Sequence, residues 1–269
     1  MPNTRLTEAE VAFYRENGYV IPADYRLPDD MLARMRAAYD RLVEINKDVP
    51  GFDPDFVIGP HWSAPGSQGV QGDPEWLEFA LFGEITELLA QVVGPDLILW
   101  GATLFGKPAR VGKETPMHQD GDYYPIEPLE TVSVWIAIDD ATPENGCMRY
   151  IPGSHKERRI FPHHWDENPD LTLTQVIDEA YAPEEKAVDV VLEAGQVAIH
   201  DVYMVHGSNA NRSENRRAGF VLRVMPATSH YNHAKGSESD NPTHDYSKRP
   251  LYLLCGEDKS GLNDFSIGH

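Results

Sequence analysis

The segment Pro116-Met117-His118-Gln119-Asp120 contains a His-x-Asp pair, and a further histidine, His206, follows 86 residues after the aspartate. In a β-strand, residues two apart point to the same side, so we expect the side chains of His118 and Asp120 to share one face. A distant histidine can complete a set of two imidazoles and one carboxylate. Such a set is typical of non-haem Fe(II) sites, because it occupies one face of the metal and leaves the other positions open.

A His-x-Asp pair is a weak signal by itself, but further motifs follow it in a defined order. They are the apolar run 131–140, the segments 142–148, 151–155 and 195–197, the His-Gly-Ser triplet 206–208, and Arg217. This order resembles that of the phytanoyl-CoA dioxygenase-like family of Fe(II)/2-oxoglutarate oxygenases. The resemblance covers most of the chain and is strongest over residues 107–226.

The resemblance implies an Fe(II)- and 2-oxoglutarate-dependent dioxygenase that hydroxylates a C–H bond and releases succinate and carbon dioxide. It makes His118, Asp120 and His206 the metal ligands and the catalytic residues. The family places the distal ligand in a His-Gly-Ser triplet, which favours His206 over the nearby His200. Related halogenases replace the carboxylate with a small residue, so the presence of Asp120 argues for oxygen insertion.

The resemblance also implies where the cosubstrate 2-oxoglutarate binds. Arg217, 11 positions after His206, should hold its distal carboxylate, which the planar guanidinium fork matches. Ser208 could donate its hydroxyl to the same carboxylate, with turn capping as the alternative role. The adjacent Arg216 is a competitor, but alternation along a strand should turn it to the opposite face.

Other candidates for binding are less specific. Lys107 precedes His118 at a place where relatives carry a polar residue near 2-oxoglutarate, although a solvated lysine is an equal alternative. Trp135 lies on an apolar strand and could either contact the cosubstrate or belong to the barrel core. The candidate contacts to the substrate itself are Trp62, Arg110, Tyr123 and Tyr124.

Residues 1–95 carry the signals of three helices. A capping box at Thr7 opens the first helix, and Pro28 precedes the acidic start of the second. Pro74 fits the first turn of the third helix, which we expect to continue until Gly94.

The remaining residues, 96–269, have the pattern of a β protein. Short β runs separated by turn signals fall at 97–105, 132–138, 196–199 and 219–225. We therefore expect one domain over residues 1–269, mainly β with α. Its core should be a double-stranded β-helix, a jelly-roll or cupin-like barrel, with the helical N-terminal region packed on it, as the family resemblance also implies. Residues 155–186 form a long charged insertion that we expect to act as a lid.

Composition and charge limit the classes of function. The chain has 269 residues, of which 41% are hydrophobic, and its formal net charge is −20. A surface of that sign repels phosphate backbones and anionic membranes, so we expect neither a nucleic-acid nor a membrane partner. Two cysteines are too few for a disulfide framework, and the N-terminus has no apolar signal sequence, so we expect a cytoplasmic protein. The oligomeric state is left open.

The substrate class depends on charge as well. Recognition of the phosphates of CoA usually needs a cluster of basic side chains, whereas the chain has 23 Lys and Arg against 43 Asp and Glu. We therefore predict a small polar metabolite, although Lys156, Arg158 and Arg159 at the start of the insertion are basic. Two alternatives use the same fold: a Zn-dependent enzyme with the same ligands, and a non-catalytic sensor that binds 2-oxoglutarate.

Overall fold

The computed structural model describes residues 3–62, 69–237 and 245–268. Its α-helices are α1 Glu8–Asn17, α2 Asp29–Asn46, α3 Glu75–Ala80 and α4 Gly83–Ala90. The predicted capping box forms, since Thr7 Oγ1 accepts from the backbone N–H of Glu10 and the Glu10 carboxylate accepts from that of Thr7. Gly18 ends α1 in the left-handed conformation, with φ 81°.

The strands form two main antiparallel sheets. They are β1 Tyr19–Val20, β2 Val57–Ile58, β3 Leu97–Lys107, β4 Thr115–His118, β5 Ile126–Glu127, β6 Val132–Ala137, β7 Met148–Tyr150, β8 His163–Trp165, β9 Gln175–Ile177, β10 Val188–Val190, β11 Val197–Asp201, β12 His206–Ser208, β13 Arg217–Pro226, β14 His230–Tyr231 and β15 Tyr252–Cys255. The larger sheet has the order β1-β11-β6-β13-β3-β15, with β2 also paired to β3, and the smaller has the order β10-β7-β12-β4. This is the predicted jelly roll with helices at its N-terminal end.

Successive side chains of β6 point alternately into two different hydrophobic cores, one on each face of the larger sheet. Val134 and Ile136 belong to a core formed between the larger sheet and the helices. The intervening Trp135 and Ala137 belong to a second core, shared with side chains of the smaller sheet such as Tyr150. Residues at odd positions of β6 therefore face the interior between the two sheets, where polar side chains on the same face can meet.

The predicted third helix is two helices. α3 ends at Ala80 and α4 begins at Gly83, because Phe82 between them is extended, with φ −65° and ψ 118°. Glycine is a poor helix former in a helix interior, and here it stands at the start of the second helix. The prediction of one continuous helix up to Gly94 is therefore wrong.

Both cysteines are free thiols in the structure, Cys147 buried and Cys255 partly exposed. Within residues 3–62, 69–237 and 245–268, no helix is both long and apolar enough to span a bilayer.

Candidate active site

Three potential metal ligands converge between the sheets. The register of β4 and β12 pairs His118 directly with His206, and their ring centroids lie 4.3 Å apart. Oδ1 of Asp120 lies 3.8 Å from Nε2 of His118. One ligand atom from each of the three side chains can be chosen so that all lie within 4.8 Å of one another, and all three residues are buried. This spacing suits one shared ion.

The carboxylate reaches this position at the start of a turn. β4 ends at His118, and Gln119 is still extended, with φ −117° and ψ 140°. Asp120 then begins a 3₁₀ turn that continues to Tyr123. The extended Gln119 preserves the same-side relation that the sequence predicted, while the turn leads the chain away from the sheet directly after the carboxylate.

Backbone carbonyls fix the orientation of both imidazoles. Nδ1 of His118 donates to the carbonyl of Pro116 over 2.8 Å, and Nδ1 of His206 donates to that of Met204 over 3.0 Å. Because a carbonyl can only accept, each ring carries its hydrogen on Nδ1 and keeps Nε2 as an electron-pair donor. Burial, assisted by a neighbouring imidazole, lowers the pKa of His118 to about 3 and that of His206 to about 4. Both rings are therefore neutral at pH 7.

Neighbours on the larger sheet keep Asp120 ionised. Ser133 Oγ donates to Oδ2 over 3.1 Å, and Nη2 of Arg223 lies 3.6 Å from Oδ1. Burial alone would raise the pKa of this carboxyl, but the charge of Arg223, followed by the nearby imidazoles, holds it well below its usual range. Two neutral imidazoles and one carboxylate are the donors that non-haem Fe(II) takes in proteins, so the residues present fit this ion.

A transverse row of polar side chains on the larger sheet faces the ligands. Ser133 is the register partner of His200 on one side and of Arg223 on the other. His200 belongs to this row, but its Nδ1 is hydrogen-bonded to the hydroxyl of Tyr150 on the smaller sheet over 2.9 Å. Its Nε2 is 3.8 Å from Oδ2 of Asp120, beyond hydrogen-bond distance. The geometry thus groups His206 with the other two ligand side chains and leaves His200 beside them.

Arg217 lies in the same pocket and is only 2% exposed. Its Nε and Nη2 donate to the carbonyl of Gly146 over 3.0 and 2.8 Å. Nη1 donates to the carbonyl of Phe105 over 3.3 Å, and Nη2 also donates to Ser208 Oγ over 3.3 Å. One hydrogen of Nη1 and the hydroxyl hydrogen of Ser208 remain for a carboxylate. Burial lowers the pKa of Arg217 to about 10, so the group stays charged at neutral pH.

Lys107 does not line the pocket. Its Nζ donates to the carbonyls of Lys113, Ser208 and Asn209, the last over 2.9 Å. The side chain therefore ties the ends of β3 and β12 together, and its predicted role in binding the cosubstrate has no geometric support. Burial, and secondly the charge of Arg217, lowers the pKa of Lys107 to about 6.

Trp135 lies where the barrel core meets the pocket. It is part of the inner core and also lines the pocket, with the Cζ of Arg217 5.3 Å from the centre of its ring. The indole has this space because Gly219 on β13 lacks a side chain: a Cβ at Gly219 would come within 2.1 Å of it.

The outer part of the pocket is aromatic. Tyr123 and Tyr124, two of the predicted substrate contacts, line it. Trp62 and Arg110, the other two predicted contacts, do not line it. The indole of Trp62 lies over Gly59, where a Cβ would come within 2.3 Å of the ring, and Arg110 forms an exposed ion pair with a glutamate.

Sequence reasoning missed two arginines of the pocket, Arg223 and Arg249. Arg223 could have been found, because it follows Arg217 by six positions on one strand, and even spacing places both side chains on the same face. The same rule correctly turned Arg216 outward, where it pairs with Asp139 over 2.8 Å. Arg249 comes from an irregular segment, for which periodicity gives no signal.

The insertion 155–186 is fastened to the segment that carries the ligands. Oε1 of Gln119 accepts from the backbone N–H of Phe161 over 2.7 Å, and its Nε2 donates to the carbonyl of Arg159 over 3.2 Å. Leu173, between β8 and β9, reaches the pocket wall. The insertion is thus placed at the pocket, and its action as a lid remains a prediction.

Comparisons with known proteins show which family this chain is similar to. A family model described as Phytanoyl-CoA dioxygenase (PhyH) matches residues 14–219. The chain is 27% identical over 256 residues to the peroxisomal phytanoyl-CoA dioxygenase of Homo sapiens, covering 90% of this chain and 75% of that protein.

Two solved structures are similar over most of the chain. The apo form of the non-heme monooxygenase ThoJ has a TM-score of 0.67 and 25% identity, covering 94% of this chain and 85% of that one. The non-heme alpha ketoglutarate dependent carbocyclase SnoK from nogalamycin biosynthesis has a TM-score of 0.64 and 26% identity, covering 86% of this chain and 88% of that one.

Proposed function

The chain belongs to the phytanoyl-CoA dioxygenase family, whose members use iron and 2-oxoglutarate, and we propose that it hydroxylates an unactivated C–H bond of a small polar metabolite, releasing succinate and carbon dioxide. One observation carries the proposal. The pocket that holds the set His118, Asp120 and His206 also holds the buried Arg217, with which no carboxylate of the described residues forms an ion pair.

We assign the metal ligands as Nε2 of His118, Nε2 of His206 and a carboxylate oxygen of Asp120. When bound, iron and 2-oxoglutarate supply the oxidising chemistry of this enzyme class. The protein contributes orientation: the Nδ1 hydrogen bonds hold both rings with Nε2 directed inward. Ser133 engages Oδ2 of Asp120 and so leaves Oδ1, the oxygen nearer to His118, for the ion.

We assign the distal carboxylate of 2-oxoglutarate to Arg217 and Ser208. The remaining hydrogen of Arg217 Nη1 and the hydroxyl of Ser208 can both donate to it. Carbonyl contacts on the other guanidinium hydrogens hold this donor pair in a fixed direction. The indole of Trp135 covers one side of the guanidinium and keeps water away from it.

Ion pairs support a small substrate over an acyl-CoA. The three basic residues that could have received CoA phosphates are each paired with a carboxylate. Lys156 is paired with Glu16, Arg158 with Asp201 and Arg159 with Glu157. None of the three lines the pocket. The described surface beside the insertion therefore offers no unpaired basic cluster.

The test is succinate release by the Fe(II)-loaded protein with 2-oxoglutarate and a panel of free amino acids, small phosphonates and phytanoyl-CoA. We expect succinate formation that increases with a small substrate and is absent in His118→Ala. A Zn-dependent enzyme would be active without 2-oxoglutarate, and a sensor would bind 2-oxoglutarate and form no succinate with any compound. Coupled hydroxylation of the acyl-CoA would overturn the substrate class alone.

A further inference from the structure

The charges in the pocket are unequal. Among the described residues that line it, three are arginines, Arg217, Arg223 and Arg249, and Asp120 is the one carboxylate. Arg223 lies 3.6 Å from Asp120. Arg217 is assigned to the cosubstrate. One guanidinium, that of Arg249, therefore has no anionic counterpart within the described part of the pocket.

Arg249 is buried, with 5% of its surface exposed. Its guanidinium Cζ lies 3.8 Å from the ring centre of Tyr246. In the described structure, the guanidinium forms neither an ion pair nor a hydrogen bond, and its Nε is fully enclosed without a partner. Leaving a buried charged donor without an acceptor is costly, so such a group normally meets its acceptor in a ligand. Stacking on Tyr246 fixes the guanidinium plane and leaves its N–H edge for an anion.

Gly101 brings the two overlooked arginines together. It is the register partner of Arg223 on β3, and a Cβ on it would lie 3.5 Å from Nη1 of Arg249 and 3.6 Å from Cβ of Arg223. Nε of Arg223 donates to the hydroxyl of Tyr124 over 2.8 Å. Nη1 of Arg223 donates to Thr103 Oγ1 over 2.9 Å, and Nη2 lies 3.6 Å from Asp120. Each end of Arg223 therefore has a polar or anionic neighbour, whereas Arg249 beside it has no acceptor among the described residues.

Much of the remaining pocket lining is apolar or aromatic. Besides the tyrosines, the lining includes Phe56, Ile58, Phe105 and Leu173. We propose that Arg249 receives a carboxylate of the prime substrate, which is therefore a compact organic acid with an apolar or aromatic body. Naming this ligand as the substrate rests on the proposed oxygenase function, whereas the anion site itself does not.

The test is calorimetric titration of the anaerobic Fe(II)-loaded protein in the presence of 2-oxoglutarate. The probes are matched pairs: phenylacetate and phenylacetamide, 3-phenylpropionate and its amide, hexanoate and its amide. The protein without substitutions should bind the acid about tenfold more tightly than the amide in one or more of these pairs. The reason is that the amide cannot form the charged hydrogen bond. Arg249→Gln should abolish this preference, and Arg110→Gln, an exposed arginine outside the pocket, should retain it.

Three results would overturn the inference: no preference for the acid in any pair, a preference that survives in Arg249→Gln, or an affinity for 2-oxoglutarate that falls in Arg249→Gln as far as in Arg217→Ala. The last would make Arg249 the anchor of the cosubstrate. Binding is read without turnover, so failure of the proposed reaction would appear separately, as the absence of succinate.

Thermal unfolding of the ligand-free protein distinguishes a binding role from a structural one. Arg249→Gln removes a charge that forms no ion pair among the described residues and loses only the contact with the Tyr246 ring, so its Tm should stay within about 4 °C of that of the parent. A Tm lower by more than about 4 °C would show that Arg249 stabilises the fold and would contradict a binding role.

Discussion

His118 and His206 are direct cross-strand partners, and each donates its Nδ1 hydrogen to the carbonyl of the residue two positions before it, Pro116 and Met204 respectively. Two strands from distant parts of the chain thus orient their imidazoles by the same type of hydrogen bond to the backbone. The consequence is that neither ring has to reorient when an ion binds, since both Nε2 atoms already lie on the inner side.

Replacing either partner should abolish metal binding. We expect His118→Ala and His206→Ala to lose Fe(II) or Mn(II) in anaerobic calorimetry while keeping a cooperative unfolding transition. His200→Gln is the matched control, because it replaces a buried imidazole of the same pocket that lies outside the ligand set. Loss of metal in His200→Gln with retention in His206→Ala would reverse the assignment.

The hydroxyl of Ser133 should tune the metal site through Asp120. Removing a group that orients a ligand typically costs about 10- to 100-fold in metal affinity, so Ser133→Ala should weaken Fe(II) binding by that factor. Ser133→Thr keeps the hydroxyl and should recover most of the affinity. An unchanged dissociation constant in Ser133→Ala would show that the 3.1 Å contact has no role in orienting the carboxylate.

Arg217→Ala should weaken binding of 2-oxoglutarate by more than about 100-fold, because it removes one member of a buried charge pair. Arg216→Ala is the control: this neighbouring arginine pairs with Asp139 and Asp40 on the opposite face, so its loss should leave the affinity within about twofold. Calorimetry with the metal-loaded protein gives both values. Equal affinities for parent and Arg217→Ala would transfer the assignment to another cation.

Asp120 should exclude halogenation. Because the carboxylate is present, we expect a hydroxylated or desaturated product and no chlorinated one, even at high chloride concentration, as read by mass spectrometry of the product. Asp120→Ala should lose iron affinity before any new activity is seen. A chlorinated product from the parent protein would contradict this prediction.

Lys107 should make stability depend on pH. Its pKa is about 6 in the folded protein and about 10.4 when unfolded, so between these values the unfolded chain binds more protons and stability rises with pH. The free energy of unfolding should increase by up to about 1.4 kcal/mol per pH unit. Urea denaturation at pH 7 and pH 8 should show a smaller increase for Lys107→Met than for the parent. Equal increases would mean that its carbonyl acceptors keep Lys107 charged in the folded state.

The elements that were predicted best from the sequence are those whose structure depends on residues close together in the chain. The long strands β3, β6, β11 and β13 follow apolar runs, and the capping box of α1 needs only two side chains. The placement of His118, Asp120 and His206 in one pocket came from motif order, since no local rule brings residues so distant in sequence together.

The remaining features depend on tertiary packing. Arg249 enters the pocket from an irregular segment, and Lys107 became a buried cross-strand tie because three carbonyls happen to surround its Nζ. In each case the deciding neighbour lies far away in the sequence.

The close approach of Trp135 to Gly219 links two positions in evolution. Any side chain at 219 would collide with the indole, so this position can vary only after the residue at 135 has become smaller. We expect the two positions to change together among related sequences, with an aromatic at 135 always accompanied by glycine at 219. A related chain with a smaller residue at 135 would lose the aromatic ring beside Arg217. We expect such a chain to bind 2-oxoglutarate more weakly.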